Sequence, residues 1–306
     1  MAIMNIALII GNGFDLSLGL PTSFSHFIES KYFRKGLMNN DLYQYMDSVY
    51  NSNMGWIDVE SELANYSMEH PKSTTLRIEY HQLKQALADY MGEIDYNHDV
   101  IDKDSSAYNS FGDYFFSSVG HKPTNKMIVI NFNYTHSILK LKRNLYGNGF
   151  LCIFLEIAEA FSPLMGNDNP FSHIKFIHPH GAVDTGIVFG VDDGSLISPK
   201  HTFLKKSCDP SYLAFNPTIL SNADKIVIWG HSLGESDHAY FVDFFTRQSS
   251  SSASRKEIVI TYYGEEGYES IIEQLDILTN HNIRGLKINN RLKLIDSSSE
   301  DCRWKL

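Results

Sequence analysis

Cysteine is scarce and scattered in this 306-residue sequence: Cys152, Cys208 and Cys302 stand alone, with no C-x-x-C pair. Three isolated thiols support neither a disulfide framework nor a thiolate zinc site, and a reducing compartment is expected. Cations are also in short supply. Lys and Arg number 26 against 36 Asp and Glu, a formal charge of −10, and no long basic run occurs. Direct binding to nucleic acid or to an anionic membrane is therefore disfavoured, since affinity for either comes largely from neutralising phosphate charge. A bound nucleotide stays open, because backbone amides can hold phosphates without lysines. No apolar run reaches membrane-spanning length: residues 5–10 are too few, and residues 151–161 carry Glu156 and Glu159. With no basic n-region and cleavage site, a cytoplasmic protein is expected.

What is present begins with Asn5-Ile6-Ala7-Leu8-Ile9-Ile10, followed by Gly11-Asn12-Gly13-Phe14-Asp15 and then Gly19-Leu20-Pro21-Thr22. The apolar run is short, β-branched and bounded by glycine, as in a central strand of a parallel sheet. Gly11 and Gly13 allow a sharp turn that sets N–H groups against a pyrophosphate at a helix N-terminus. A plain strand-to-helix turn reads equally well from this segment alone. Leu16 stands where a dinucleotide fingerprint needs its third glycine, which disfavours an ordinary dehydrogenase.

Further strand-like runs are Met127 to Asn131, Ile174 to His178, Ile187 to Phe189, Lys225 to Trp229 and Glu257 to Tyr263, with a weaker pair at Leu286 to Ile288 and Leu292 to Ile295. Helical patterns lie between most of them, at Ser137 to Arg143, Ser236 to Gln248 and Ser270 to Thr279. This alternation predicts one α/β, Rossmann-like domain over residues 1–306, a mostly parallel sheet with helices on both faces. Residues 22–117 are helical in pattern almost throughout and are expected to form a helical cap inserted after the first strand. Ligands of such sheets sit outside the carboxyl ends of the strands, so those ends are the places to inspect.

Four polar clusters fall there: Gly11 to Asp15, Asn131-Phe132-Asn133-Tyr134-Thr135, His178-Pro179-His180-Gly181, and Gly230-His231-Ser232-Leu233-Gly234-Glu235-Ser236-Asp237. In this order the set resembles the AbiH family of bacterial phage-defence proteins and, more widely, the sirtuin-like superfamily. Gly11, Gly13, Gly19 and Pro21 match the spacing of the sirtuin glycine run. Asn133 resembles the asparagine that holds the nicotinamide ribose, and His180 the catalytic histidine. Gly230, Ser232 and Asp237 resemble the segment that binds the phosphate and adenosine half of NAD, and Tyr263 stands where adenosine is contacted. The resemblance implies catalysis by Asn133 and His180, with NAD held by Gly11, Asn12, Gly13, Phe14, Asp15, Pro21, Thr22, Gly230, His231, Ser232, Asp237 and Tyr263.

Sirtuin deacylases carry a four-cysteine zinc module that this chain cannot build, so the resemblance points to zinc-free relatives that cleave NAD to ADP-ribose and nicotinamide. A phage-defence effector follows, with NAD as substrate, no metal, and control by a sensor protein encoded nearby or by homo-oligomerisation. Cleaving an N-glycosidic bond makes an oxocarbenium-like ribose, so the site must hold the sugar and position water. Asn133 can bridge a ribose hydroxyl and that water. His180 can accept a proton from a ribose hydroxyl or from that water, as a general base does. Simpler roles stand beside these: an Asx turn for Asn133, a structural or metal-binding histidine at His180, and a helix N-cap for Asp58, although Trp56 to Glu60 also resembles a family motif. Two other functions remain. Gly230-His231-Ser232-Leu233-Gly234 satisfies G-x-S-x-G, the nucleophile elbow of an esterase, although only His238 and His281 lie downstream. A catalytically silent nucleotide sensor or scaffold would keep the fold and drop the chemistry.

Overall fold

The computed structural model describes residues 4–53, 58–97, 102, 104, 105, 108, 126–138, 174–212, 216, 218–250 and 254–299. The apolar run that follows Met4 forms strand β1 (Asn5–Ile10), the centre of a six-stranded sheet. Its other members are β2 (Lys126–Asn131), β3 (Ile174–Ile177), β6 (Lys225–Trp229), β7 (Glu257–Tyr262) and β8 (Arg291–Asp296). The order is β3-β2-β1-β6-β7-β8 and every pairing is parallel, so the Rossmann-like α/β fold expected from the alternation is the fold observed. Strand β1 pairs Ile10 with Asn131 on one side and with Trp229 on the other, which sets three strand ends level. The chain reverses direction across the sheet between β1 and β6, the point where such folds hold ligands.

Period-2 geometry divides the strand side chains between two cores. Leu8, Ile10, Val129, Val227 and Val259 face one side, and Ala7, Ile9, Ile130, Ile228 and Ile260 the other. The first face is covered by α1 (Asn12–Ser17), α2 (Phe24–Glu29), α3 (Lys31–Arg34), α4 (Asp41–Ser52), α5 (Val59–Glu69) and α6 (Leu76–Asn97). Phe14, Phe27, Phe33, Met46, Leu63 and Leu87 from these helices join the strand residues in one cluster. Over residues 22–53 and 58–97 the expected cap is thus a covering layer of the sheet, and of its expected remainder to 117 only 102, 104, 105 and 108 fall among the described residues. On the other face lie α7 (Thr218–Asn222), α8 (His238–Ser249), α9 (Gly264–Leu278) and α10 (Ile283–Asn289). Leu220, Phe241, Phe245, Leu275 and Leu286 are their buried contributions.

Two expected strands differ. Leu286 to Ile288 belong to α10, where Asn282 accepts from Gly285 N–H at 3.0 Å as N-cap. Only Leu286 of the three is buried, and three residues alternating in polarity fit one turn of a surface helix as well as a strand. The run Ile187 to Phe189 contributes only Ile187 to a strand, in a small antiparallel pair of β4 (Gly181–Ala182) and β5 (Gly186–Ile187). Among the other expectations, the helix from Ser137 beyond Ile138, the stretch 151–161, Trp56, Cys152 and Cys302 lie outside the described residues. Cys208 is a free, exposed thiol. Among the described residues no helix is long and apolar enough to cross a membrane.

Candidate active site

The turn after β1 and the turn after β6 lie against each other, backbone to backbone. Gly11 N–H donates to the carbonyl of Trp229 at 3.0 Å, and Gly13 N–H donates to that of Gly230 at 2.8 Å. A Cβ on Gly11 would stand 2.5 Å from His231 Cα, and one on Gly230, which has φ +63°, would stand 2.3 Å from the Phe14 nitrogen. These glycines therefore let two turns touch, and the two amides expected to meet a pyrophosphate already have acceptors. Phe14 is buried, edge-on to Trp229 at 5.3 Å between centroids, and belongs to the core. Asn12 is exposed and accepts from the Thr22 hydroxyl at 2.6 Å, while the carbonyl of Pro21 accepts from Tyr90 at 2.6 Å.

Asp15 follows on the first turn of α1 and is completely buried. One oxygen accepts from Asn133 Nδ2 at 2.7 Å and Ser137 Oγ at 2.5 Å, the other from Thr135 Oγ1 at 2.5 Å. Burial pushes its pKa up to about 6 despite these three donors. Asn133 gives its second amide hydrogen to the carbonyl of Gly11 at 3.2 Å. Its two donors thus tie the β2 end to the β1 turn, and among the described residues its Oδ1 has no donor.

The chemistry centres on Asp237, which the sequence expectation gave to the adenosine half of a nucleotide. In the structure both of its oxygens face imidazoles: Oδ1 lies 3.0 Å from His180 Nε2 and Oδ2 lies 3.3 Å from His231 Nε2. Leu233 N–H donates to His231 Nδ1 at 2.9 Å, so Nδ1 carries the lone pair and Nε2 the hydrogen. At His180 a lone pair on Nε2 would face a carboxylate oxygen. The hydrogen therefore sits on Nε2, and Nδ1 is the basic nitrogen. Lys206 Nζ lies 3.0 Å from Glu60 Oε1 and 3.4 Å from Asp237 Oδ1. Burial alone would raise Asp237, yet His180 and the Lys206 ammonium beside it, with the hydrogen bonds from His180 and His231, hold it well below the usual carboxylate range. Glu60 is raised by its own burial, with Lys206 acting against that.

Sequence reasoning missed Lys206 and left Glu60 without a role. The chain doubles back at this point: Lys206 N–H donates to the Val191 carbonyl at 2.9 Å, and the residue is buried. Asp58 does cap α5, accepting from Glu60 N–H at 3.1 Å, and that cap sets Glu60 at the helix start facing Lys206. His178 is held below its usual range, first by burial and then by the charge of His136.

Ser232 is exposed, and its Oγ accepts from Gly234 N–H at 3.3 Å. Among the described residues no imidazole pairs with it. The strained φ of this turn belongs to Gly230 and Leu233, at +63° and +57°, and not to the serine as an elbow requires. Tyr263 is 76% exposed beyond the end of β7. Among the described residues no group of three or more His, Cys, Asp or Glu side chains is arranged to hold a metal ion.

The chain reversal, its paired glycine turns and its carboxylate-bound imidazole define a Rossmann-like α/β protein with a candidate active site at the strand ends. The family model described as "Bacteriophage abortive infection AbiH" matches residues 7–262, and the chain belongs to that family. Membership gives it a phage-defence role in abortive infection. No curated protein matches the chain.

Proposed function

We propose that this abortive-infection effector binds NAD and hydrolyses it to ADP-ribose and nicotinamide, within a sirtuin-like superfamily. The observation that supports this most is the His180–Asp237 pair at the chain reversal, with Nδ1 of His180 free of any partner among the described residues. Water attacks C1′ of the nicotinamide ribose while the C1′–N bond breaks, and its electron pair leaves with neutral nicotinamide. The water proton passes to His180 Nδ1 and then to solvent. Asp237 behind the ring favours the imidazolium that forms, as the carboxylate does in other Asp–His pairs. Asn133 Oδ1 is the acceptor for a ribose hydroxyl or the attacking water. The exposed Tyr263 ring offers a stacking face for adenine, and the exposed Ser232 hydroxyl offers a contact to phosphate.

A second reading, a nucleotide sensor without chemistry, draws support from one observation: the Gly11 and Gly13 amides already have backbone acceptors. The deciding experiment incubates the purified full chain with NAD, alone and with the protein encoded beside it, and assays nicotinamide and ADP-ribose. We expect slow turnover by the dilute chain that rises with protein concentration or on adding the partner, since an effector of this kind needs restraint. Binding of NAD without product in any of these states would overturn hydrolysis and leave the sensor.

A further inference from the structure

Three distant pieces of chain meet at one ammonium group. Glu60 comes from the start of α5, Lys206 from the turn after residues 199–204, and Asp237 from the segment that leads into α8. Lys206 is 3% exposed, too deep to serve as a surface charge for a phosphate. Its ammonium lies 3.0 Å from Glu60 and 3.4 Å from both Asp237 Oδ1 and His180 Nε2. Because Nε2 already gives its hydrogen to Asp237, the ammonium has nothing to donate to on that ring. Among the described residues its acceptors are then the two carboxylates. A buried cation so placed is costly unless paired, and both anions would be costly without it.

We propose that Lys206 and Glu60 are positioning residues for His180. Glu60 anchors the ammonium, the ammonium fixes the Asp237 carboxylate, and the carboxylate holds the imidazole with Nε2–H inward and Nδ1 bare. Charged and titratable groups facing Asp237 are His180, His231, Lys206, Glu60, Tyr134 and Tyr240. Of these only Lys206 is a fixed cation. Against the effect of its burial, Glu60 and Asp237 hold its ammonium above the ordinary lysine range. The arrangement also ties the covering layer of helices to the catalytic pair, since Glu60 belongs to that layer.

The proposal rests on the hydrolase reading only for its kinetic consequence, so the test has a spectral arm that needs no substrate. In the full-length chain labelled with 15N-histidine, wild-type His180 is expected to show a pyrrole-type Nε2 and a pyridine-type Nδ1. The double variant Lys206→Met/Glu60→Gln removes the ion pair without leaving a lone charge between them, and we expect a mixed tautomer at His180. In the kinetic arm kcat for NAD should fall at least ~10-fold with KM within about twofold. A folded double variant with an unchanged His180 tautomer would overturn the proposal. A wild type inert toward NAD would sink the hydrolase reading while the spectra still decide this one. If the double variant does not fold, proton exchange at Lys206 Nζ in the wild type decides. A slowly exchanging ammonium is expected, and a freely exchanging one overturns the clamp.

Discussion

Nε2 of His180 lies 3.0 Å from Oδ1 of Asp237, 57 residues away in sequence, and the two are brought together by the ends of adjacent layers rather than by any local motif. The contact settles which ring nitrogen is basic. We expect His180→Ala to lower NAD cleavage at least ~100-fold, and Asp237→Asn to do so comparably by permitting the wrong tautomer. Unchanged circular dichroism with lost product formation is the result that bears this out. Near-normal turnover in both variants would refute it.

Asp15 supplies a stability signature independent of activity. Its folded pKa, about 6, lies above the 3.8 of a free aspartate, so between these values the folded chain holds more protons than the unfolded one. Stability linked to Asp15 is thus full below pH 4 and is lost as pH rises through 6. The total is on the order of 3 kcal/mol, at 1.36 kcal/mol per pKa unit. In Asp15→Asn this component should vanish, because the Thr135 and Ser137 hydroxyls can turn to suit an amide. Denaturant melts from pH 4 to pH 7 should show the wild type losing stability relative to Asp15→Asn, and parallel curves would disprove the assignment.

Gly230 and Gly264 make a matched pair. Both have positive φ, +63° and +66°, but a Cβ on Gly230 meets the Phe14 nitrogen while one on Gly264 meets nothing within 4 Å. Gly264→Ala should cost only the left-handed backbone penalty, about 1–2 kcal/mol. Gly230→Ala adds a clash that separates the two turns, for a total of about 3–5 kcal/mol. Equal urea midpoints for the two variants would show that the turns do not need their contact.

Ser232 is predicted to be inert toward a fluorophosphonate probe, because its hydroxyl has no imidazole partner among the described residues. Ser232→Ala should weaken NAD binding by about 1–3 kcal/mol, the loss of one polar contact, with kcat little changed. An intact-mass adduct on the wild type that the variant lacks would restore the esterase.

Strands β1 and β6 were legible because a central parallel strand is buried on both faces and so reads as an unbroken apolar run. The polar clusters at their ends followed from the same logic, and they brought Asn133, His180, His231 and Asp237 into view. The partners of those residues were not legible. A glycine turn read alone suggests an anion cradle, whereas the acceptors for Gly11 and Gly13 come from Trp229 and Gly230, far downstream. Lys206 lies inward only because the chain doubles back at Val191, and nothing local to Lys205-Lys206 records that bend. Leu286 to Ile288 shows the matching failure in the fold, where three residues are too few to tell a period of 2 from one of 3.6.

The position of β1 has a consequence for synthesis. Its two neighbours, β2 and β6, begin at Lys126 and Lys225, so the central strand of the sheet waits for most of the chain before its second edge is covered. Such long-range pairing is slow to form and leaves an open strand edge meanwhile. On the ribosome a nascent chain that has not yet exposed Asp237 has His180 without its carboxylate, so a product truncated before Asp237 lacks the pair.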